Sequence, residues 1–108
     1  MNLLLPGTLE MLILQTLSRK SLHGYAIVQA IQQASDDLLT IEEGSLYPAL
    51  QRLLRDGWVV AEWGISARNR RVRTYRITPA GRKQLEAEVS SFEKALLGIR
   101  RVLRPAQS

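Results

Sequence analysis

The chain has 108 residues, of which 45% are apolar and 23% charged, and its 15 basic and 10 acidic residues give a formal net charge of +5. That length suits one domain with a modest core, and the composition is ordinary for a soluble globular protein. No apolar run approaches the ~18 residues that cross a bilayer, and the run at residues 3–5 is too short for a signal peptide. The absence of cysteine and the single histidine exclude disulfides, thiol chemistry and Cys- or His-rich metal sites. We therefore expect a cytoplasmic protein without a metal or another cofactor.

The positive charge is concentrated in one part of the chain. Residues 1–50 hold two basic and five acidic residues, whereas residues 51–81 hold seven arginines and two acidic residues. Five of those arginines lie in residues 68–76, which contain no acidic residue. Arginine makes planar, paired contacts with phosphates and base edges, and a solvated loop would usually mix lysine with glutamate. The pattern predicts an anionic partner, most often nucleic acid.

Two helices are predicted in the acidic half of the chain. Thr8 is placed to cap the first, whose apolar residues recur at the spacing i, i+3, i+4, i+8. The second runs from about Gly24 to Ala34, and we expect His23 to cap it or pack at its start rather than to act in catalysis. Tyr25 either sends its hydroxyl to a phosphate or is buried. The residues expected to face inward are Leu9, Leu12, Ile13 and Leu17 in the first helix and Ile27, Ile31 and Ala34 in the second.

A third helix is predicted over about residues 45–56, followed by Gly57, which can end it in a left-handed conformation. Pro48 is tolerated in a first turn, so the helix should begin near Gly44. On a helical wheel, an apolar arc and a polar arc lie opposite each other. The apolar arc is Leu46, Leu50, Leu53 and Leu54, the polar arc is Ser45, Pro48, Gln51, Arg52 and Arg55, and Tyr47 and Ala49 lie at the flanks.

A β-hairpin and a last helix complete the chain. The runs Val59–Trp63 and Val72–Ile77 are rich in β-branched and aromatic residues, and the segment between them, Gly64–Arg71, is expected to be a long, basic, exposed loop. Thr78 and Pro79 then open a helix, with threonine at the cap and proline in the first turn.

The last helix carries an apolar stripe that recurs every three or four residues, which is typical of a helix that packs against another helix. A domain of this size has little core left to cover the stripe, so dimerisation is favoured over packing on the first helix of the same chain. The predicted dimer interface is Leu85, Val89, Phe92, Leu96, Ile99 and Leu103.

Three helices followed by a hairpin predict a winged helix-turn-helix. In such folds the third helix enters the major groove, and the hairpin tip, the wing, contacts the flanking backbone or the minor groove. The predicted class is mainly α with a small β-hairpin: a winged helix-turn-helix at residues 1–78 and a long C-terminal dimerisation helix at residues 79–108.

Four motifs carry a resemblance to a known family. They are GTLE at residues 7–10, LHGY at 22–25, EGSLYPAL at 43–50 and RTYRITPAG at 73–81. In this order and with these gaps, the chain resembles the PadR family of bacterial transcriptional regulators over about residues 7–82. The block around Pro48 is the most specific, because few other winged helices place proline there.

The resemblance implies a homodimeric repressor that binds a pseudo-palindromic site in double-stranded DNA and dimerises through its first and last helices. This chain resembles the short members of the family, which end after one C-terminal helix. Some of them bind flat aromatic drugs between the two C-terminal helices, against a tryptophan, which implies a small aromatic or amphipathic effector. Here that helix carries Phe92, whereas Trp58 and Trp63 lie elsewhere.

The predicted DNA contacts lie in the second and third helices and in the wing. Tyr47 and Pro48 match the family's DNA-facing block, which favours DNA contact for both and for Ser45. Ser45 can instead serve only as a helix-start residue, and Pro48 can act by shaping the helix start alone. Arg52 is the strongest candidate for reading a guanine or clamping a phosphate. Arg55 is expected to contact the DNA backbone or to make no contact with DNA. The remaining candidates are Tyr25 and the wing residues Arg68, Arg70, Arg71 and Arg73, of which two or three contact phosphate or enter the minor groove.

Two neighbouring wing residues have other expected roles: Arg76 is expected to pair with an acid, and Tyr75 to pack within the sheet. Two other function classes compete with DNA regulation. A winged helix whose basic loop binds an acidic protein would keep that partner at high salt and retain no DNA. An enzyme has little support, because the chain offers no cysteine nucleophile, no phosphate-binding loop and one isolated histidine.

Overall fold

The computed structural model describes residues 7–106, so the apolar run at residues 3–5 lies outside the described part. Within residues 7–106, four helices and three strands follow one another, and the strands form one antiparallel sheet in the order β1-β3-β2. This confirms the predicted class, a winged helix-turn-helix with a long last helix. The elements are α1 (Thr8–Arg19), β1 (Leu22–His23), α2 (Gly24–Ala34), α3 (Glu43–Arg55), β2 (Val59–Ile65), β3 (Arg71–Ile77) and α4 (Pro79–Leu103).

Strand β1 is not predicted from the sequence, because two residues are too few to show an alternating pattern. Leu22 pairs with Tyr75 of β3, and His23 pairs with Thr74. The start of α2 therefore lies beside the middle of β3. His23 also caps α2, since its Nδ1 accepts a hydrogen bond from the Ala26 N–H at 3.4 Å, which confirms its expected role.

The hairpin strands are longer, and their connection shorter, than predicted. β2 and β3 pair along their whole lengths, with Ile65 opposite Arg71 at the outer end. The connection is therefore Ser66–Arg70 rather than the expected Gly64–Arg71, and a 2.7 Å hydrogen bond joins its first N–H to its last carbonyl. Asn69 adopts a φ of 59°, a left-handed conformation that asparagine tolerates better than most residues, so the turn closes tightly.

Helix α3 begins earlier than predicted, at Glu43. Pro48 is then the sixth helical residue, and its expected place in the first turn is wrong. Because proline has no N–H, the carbonyl of Gly44 lacks its usual partner four residues along the helix. At the other end, Gly57 has a φ of 74° and terminates α3 as predicted.

The core surrounds α1, which packs against α2, α3, α4 and β3. Ile13 and Leu14 of α1 are fully buried, and so are Ile27 of α2 and Leu50 of α3. Helix α3 packs on α1, α2 and β2, so its opposite face lies toward solvent.

Single positions in the helices also differ from the sequence prediction. Ala34 is the last residue of α2 and is exposed, whereas Val28 is buried in that helix. Gly7, with a φ of 86°, occupies the cap position of α1, so Thr8 is the first helical residue and does not cap it. Ala49 is completely buried in α3 rather than at the flank, because its small side chain lies against the core.

A junction of hydrogen bonds joins α3, β2 and α4. The Thr78 hydroxyl accepts a hydrogen bond from the Gly81 N–H at 3.0 Å and donates one to the Gly57 carbonyl at 2.8 Å. The Thr78 N–H donates to the Trp58 carbonyl at 3.0 Å. This confirms Thr78 as the cap of α4 and ties the start of α4 to the end of α3. A Cβ on Gly81 would overlap the Trp58 carbonyl oxygen and lie 2.9 Å from Ile77 Cγ1, so the junction requires glycine.

Helix α4 has 25 residues, which corresponds to a length of about 37 Å. Its first half packs on its own chain, where Leu85 is buried and Val89 is partly buried against the core. Leu85 is therefore part of the core of its own chain, and the intermolecular seam that includes it and Val89 stays a prediction. Residues 90–106 are exposed, apart from the half-buried Leu96. None of the helices in residues 7–106 is long and apolar enough to cross a membrane.

Replacing Gly81 by alanine should lower the free energy of unfolding by about 3 kcal/mol or more, because the new methyl group overlaps backbone that cannot move independently. Gly98→Ala is the matched control in the same helix, since nothing lies within 4 Å of its added methyl. It should stabilise the protein by roughly 0.5–1 kcal/mol. Urea unfolding followed by circular dichroism measures both changes, and equal effects at the two positions would contradict the close contact at the junction.

Candidate nucleic-acid interface

One side of α3 forms an exposed row of side chains. Tyr47, Gln51 and Arg55 follow one another at intervals of four residues, and all three are exposed. Residues four apart lie on the same face of a helix, so the three side chains form a line along its axis. Pro48 is exposed beside this row, and we call the four residues the α3 row. The row is opposite the core-facing side of the helix and is open to a macromolecule.

Arg52 lies on the flank of α3 rather than on the exposed row. Its Nε donates a hydrogen bond to Glu10 Oε1 of α1 at 2.7 Å, and its Nη2 donates to the same oxygen. The side chain of Arg52 is 49% exposed, whereas that of Glu10 is only 12% exposed. Arg52 is exposed, as the helical wheel predicts, but an acidic residue 42 positions earlier holds its guanidinium. Ser45 is half-buried.

The start of α2 adjoins the α3 row. A Cβ on Gly24 would lie 3.5 Å from the Tyr47 hydroxyl oxygen, so the Tyr47 ring lies against the first turn of α2. The next residue, Tyr25, is 55% exposed, which decides between the two expected alternatives against burial. The two tyrosine side chains thus occupy adjacent exposed positions where α2 and α3 meet.

The wing extends the same face of the sheet that packs on the helices. Side chains of paired residues share a face, and Val59 and Ile77 at the inner end of this face are buried. Further out, Trp63 lies opposite Arg73 on that face. The Arg71 guanidinium lies 4.5 Å from the centroid of the Trp63 ring, a cation–π contact that orients the arginine.

A second arginine of the wing is oriented in the same way. The Arg73 guanidinium lies 5.7 Å from the centroid of the Tyr75 ring. Tyr75 itself is buried, which confirms that it packs within the sheet. On the opposite face, Arg76 donates a 3.1 Å hydrogen bond to Glu62, which confirms the expected pairing with an acid.

Ion pairing divides the arginines of α3 and the hairpin into two groups. The residues Arg52, Arg55 and Arg76 each have an acidic partner, with Arg55 Nε at 3.5 Å from Asp56. Among residues 7–106, the wing arginines have no acidic partner within salt-bridge distance. These four are Arg68 and Arg70 in the connection and Arg71 and Arg73 on β3.

The three exposed regions form one surface. The β1–β3 pairing brings the start of α2 beside Thr74, the neighbour of Arg73, and Gly24 in turn adjoins Tyr47 of the α3 row. The surface therefore runs from the wing across the start of α2 to α3. Two members of this surface, Gln51 and Trp63, are not among the contacts predicted from the sequence, because most of those are arginines or residues of the family motifs. The helical wheel already places Gln51 on the polar arc, and the alternation along β2 and β3 was the available signal for Trp63.

A family model described as "Transcriptional regulator PadR-like family" matches residues 13–87, which is more than half of the chain. The chain belongs to the PadR-like family. The matched region contains α2, α3 and the whole wing, so the family relationship covers the surface described above.

Relatives of this PadR-like chain include proteins of very different length. It is 42% identical over 87 residues to an uncharacterized 37.1 kDa protein in transposon TN4556 of Streptomyces fradiae. The aligned region covers 79% of this chain but 23% of that protein. It is 35% identical over 83 residues to transcriptional regulator Rv3488 of Mycobacterium tuberculosis. The aligned region covers 76% of this chain and 73% of that protein. The chain thus spans less than a quarter of the first relative.

A solved structure has the same fold over nearly its whole length. The structure of a transcriptional regulator from Clostridium thermocellum matches with a TM-score of 0.83 and 30% sequence identity. The match covers 91% of this chain and 95% of that chain. The PadR-like winged helix is therefore the architecture that presents the α3 row and the wing.

Proposed function

We propose that this PadR-like regulator is a homodimeric repressor that binds a pseudo-palindromic site in double-stranded DNA. The observation that carries the proposal is the continuous surface made by the α3 row, the start of α2 and the wing. A helix of this kind fits the major groove, and unpaired arginines beside it suit the flanking phosphates or the minor groove. This arrangement needs no further chemistry from the chain, so we propose no enzymatic activity.

The proposed roles follow from the positions of the side chains. Tyr47, Pro48 and Arg55 meet the groove or its edges, and Tyr25 sends its hydroxyl to a phosphate at the start of α2. Ser45 is half-buried and serves the edge of the interface. The wing arginines, Arg68, Arg70, Arg71 and Arg73, supply most of the contacts with phosphate.

Dimerisation is proposed to use the second half of α4. This half carries apolar residues that its own chain leaves largely uncovered, including Phe92 and Ile99, which are exposed. The spacing of these residues is that of a helix pair, and two copies of a long helix can cover each other's stripes. The residues proposed for the seam are Phe92, Leu96, Ile99 and Leu103.

Removing wing charge should weaken binding to all DNA sequences alike, since phosphate contacts carry no base information. If each protomer neutralises about three phosphates, log affinity should fall with log salt with a slope near −5 for the dimer. Arg70→Ala/Arg71→Ala should make that slope shallower by about 2–4. Arg100→Ala/Arg101→Ala, which removes the same charge from the exposed end of α4, is the matched control and should leave the slope nearly unchanged. Fluorescence anisotropy at several salt concentrations measures these slopes.

If the control pair lowers the slope as much as the wing pair does, the wing is not the phosphate-contacting element. Binding to an acidic protein that persists at high salt, without any DNA binding, would instead support the competing function.

Placing a polar side chain in the proposed seam should dissociate the dimer. Ile99→Asn buries an amide among apolar side chains and should weaken dimerisation at least about tenfold, since burying an unpaired amide costs roughly 1–3 kcal/mol per copy. Ser90→Asn is the control, because Ser90 is exposed and lies outside the apolar stripe. Sedimentation equilibrium measures the dissociation constants. A monomeric unsubstituted chain, or equal effects of the two substitutions, would be inconsistent with the proposed seam.

A small-molecule effector is also proposed, because a cavity of about 310 Å³ lies between α1 and α4. Met11 and Phe92 supply apolar surface, and Glu88 supplies a carboxylate. Glu88 Oε1 accepts a hydrogen bond from Gln84 Nε2 at 3.1 Å, whereas Oε2 is buried and has no hydrogen-bond partner among residues 7–106. An uncompensated carboxylate oxygen beside apolar side chains suits an aromatic cation.

A flat aromatic cation should therefore bind the DNA-free protein more tightly than a neutral ring system of the same size. Glu88→Gln should reduce the difference several-fold, because the amide keeps the shape of the side chain but loses its charge. Ligand fluorescence titration measures both affinities. Equal binding of the two ligands to the unsubstituted protein would exclude Glu88 as the recognition group.

A further inference from the structure

Gln51 and Arg52 are adjacent in α3 but differ in their surroundings. The Gln51 side chain faces solvent, whereas the Arg52 guanidinium is paired with Glu10. We propose that Gln51 is the base-reading residue of α3, with adenine as its base, and that Arg52 is a positioning residue that holds α3 against α1. This inference rests on the proposed DNA-binding function and assigns the chemistry of its specificity.

Gln51 occupies the centre of the α3 row. It is exposed, and its amide forms no hydrogen bond with another residue in the described part of the chain. Tyr47 lies one turn before it and leans on Gly24, while Arg55 lies one turn after it, near Asp56. Each neighbour therefore contacts another residue, whereas the central amide is exposed and has no partner in the described part of the chain.

The dimensions of the row suit the major groove. From Tyr47 to Arg55 the helix rises about 12 Å, which corresponds to three or four base pairs. The ends of a row of this length approach the two edges of the groove, where the phosphates lie, and its centre faces the base edges. A glutamine amide carries a donor and an acceptor, so it can pair with N7 and the N6 amino group of adenine at once.

Arg52 is held by the body of the protein. Two of its nitrogens donate to the same Glu10 oxygen, and the Glu10 carboxylate is largely buried. If Arg52 turned to a guanine, that carboxylate would lose its partner while still removed from water, which opposes the movement. The pair joins the first turn of α1 to the last turns of α3, so it fixes the direction in which the α3 row points.

The test begins with selection of an operator from a random DNA pool by the unsubstituted protein. Affinities are then measured for a panel with each base pair changed in both half-sites. We expect one A·T pair per half-site whose change to G·C weakens binding by about ten- to a hundredfold.

Gln51→Ala should reduce that preference to less than about threefold and leave the other positions unchanged. Gln51→Glu should shift the preference toward C·G, because a carboxylate accepts from the cytosine amino group. Gln33→Ala, at an exposed position near the end of α2, is the matched control.

The role of Arg52 is tested by rescue. Arg52→Gln should weaken binding to every member of the panel by a similar factor, about fivefold or less, without changing the base preferences. Arg52→Lys should restore most of the loss, because lysine can still pair with Glu10 but cannot make the paired contact to guanine.

The proposal is overturned if Gln51→Ala keeps every base preference, or if Arg52→Gln removes a G·C preference that Arg52→Lys does not restore. A selection that yields no preferred sequence would overturn the proposed sequence-specific function together with this inference. A preferred sequence whose preferences do not depend on Gln51 would overturn the inference alone.

Discussion

The structure depends on the close contact between the first turn of α4 and the carbonyl of Trp58. At Gly81 the two backbones are too close for any side chain, and Thr78 connects the same turn to Gly57 at the end of α3. One short segment therefore fixes the end of α3, the base of the wing and the direction of α4. Because α4 carries the proposed dimer seam, this junction also sets where each α3 and wing would lie in a dimer.

Within that framework, ion pairs decide which charges are available. In the described part of the chain, three arginines have acidic partners: Arg52 pairs with Glu10 on α1, Arg55 with Asp56 directly after α3, and Arg76 with Glu62 on β2. The first and third of these pairs each join two elements. The wing arginines have no acidic partner among residues 7–106, and two of them are held over aromatic rings. Orienting an arginine before it meets a phosphate reduces the entropy lost on binding. The arginines of α3 and the hairpin are thus divided into those with an acidic partner in the chain and those available to a partner molecule.

Local patterns predict much of this fold. The ends of α2, the cap of α4 and the pairing of Arg76 all depend on residues that are near in sequence or on strand parity, and the structure confirms them. The two-residue β1 offers no pattern, and the tight turn of the wing depends on the left-handed conformation of Asn69. The candidate site was predicted less completely for a related reason. Arg52 finds its partner in Glu10, 42 residues earlier, and a helical wheel of α3 alone cannot show such a contact.

The most direct test of the account is arginine modification of the protein with and without its selected operator, read by mass spectrometry. The twelve arginines of the chain report on every face of the molecule. The account predicts strong protection of the wing arginines and partial protection of Arg55, while Arg19 and Arg82, at the far end of the sheet from the wing, react equally in both samples. Protection of Arg19 and Arg82, with the wing arginines still reactive, would contradict the assignment of this surface to DNA.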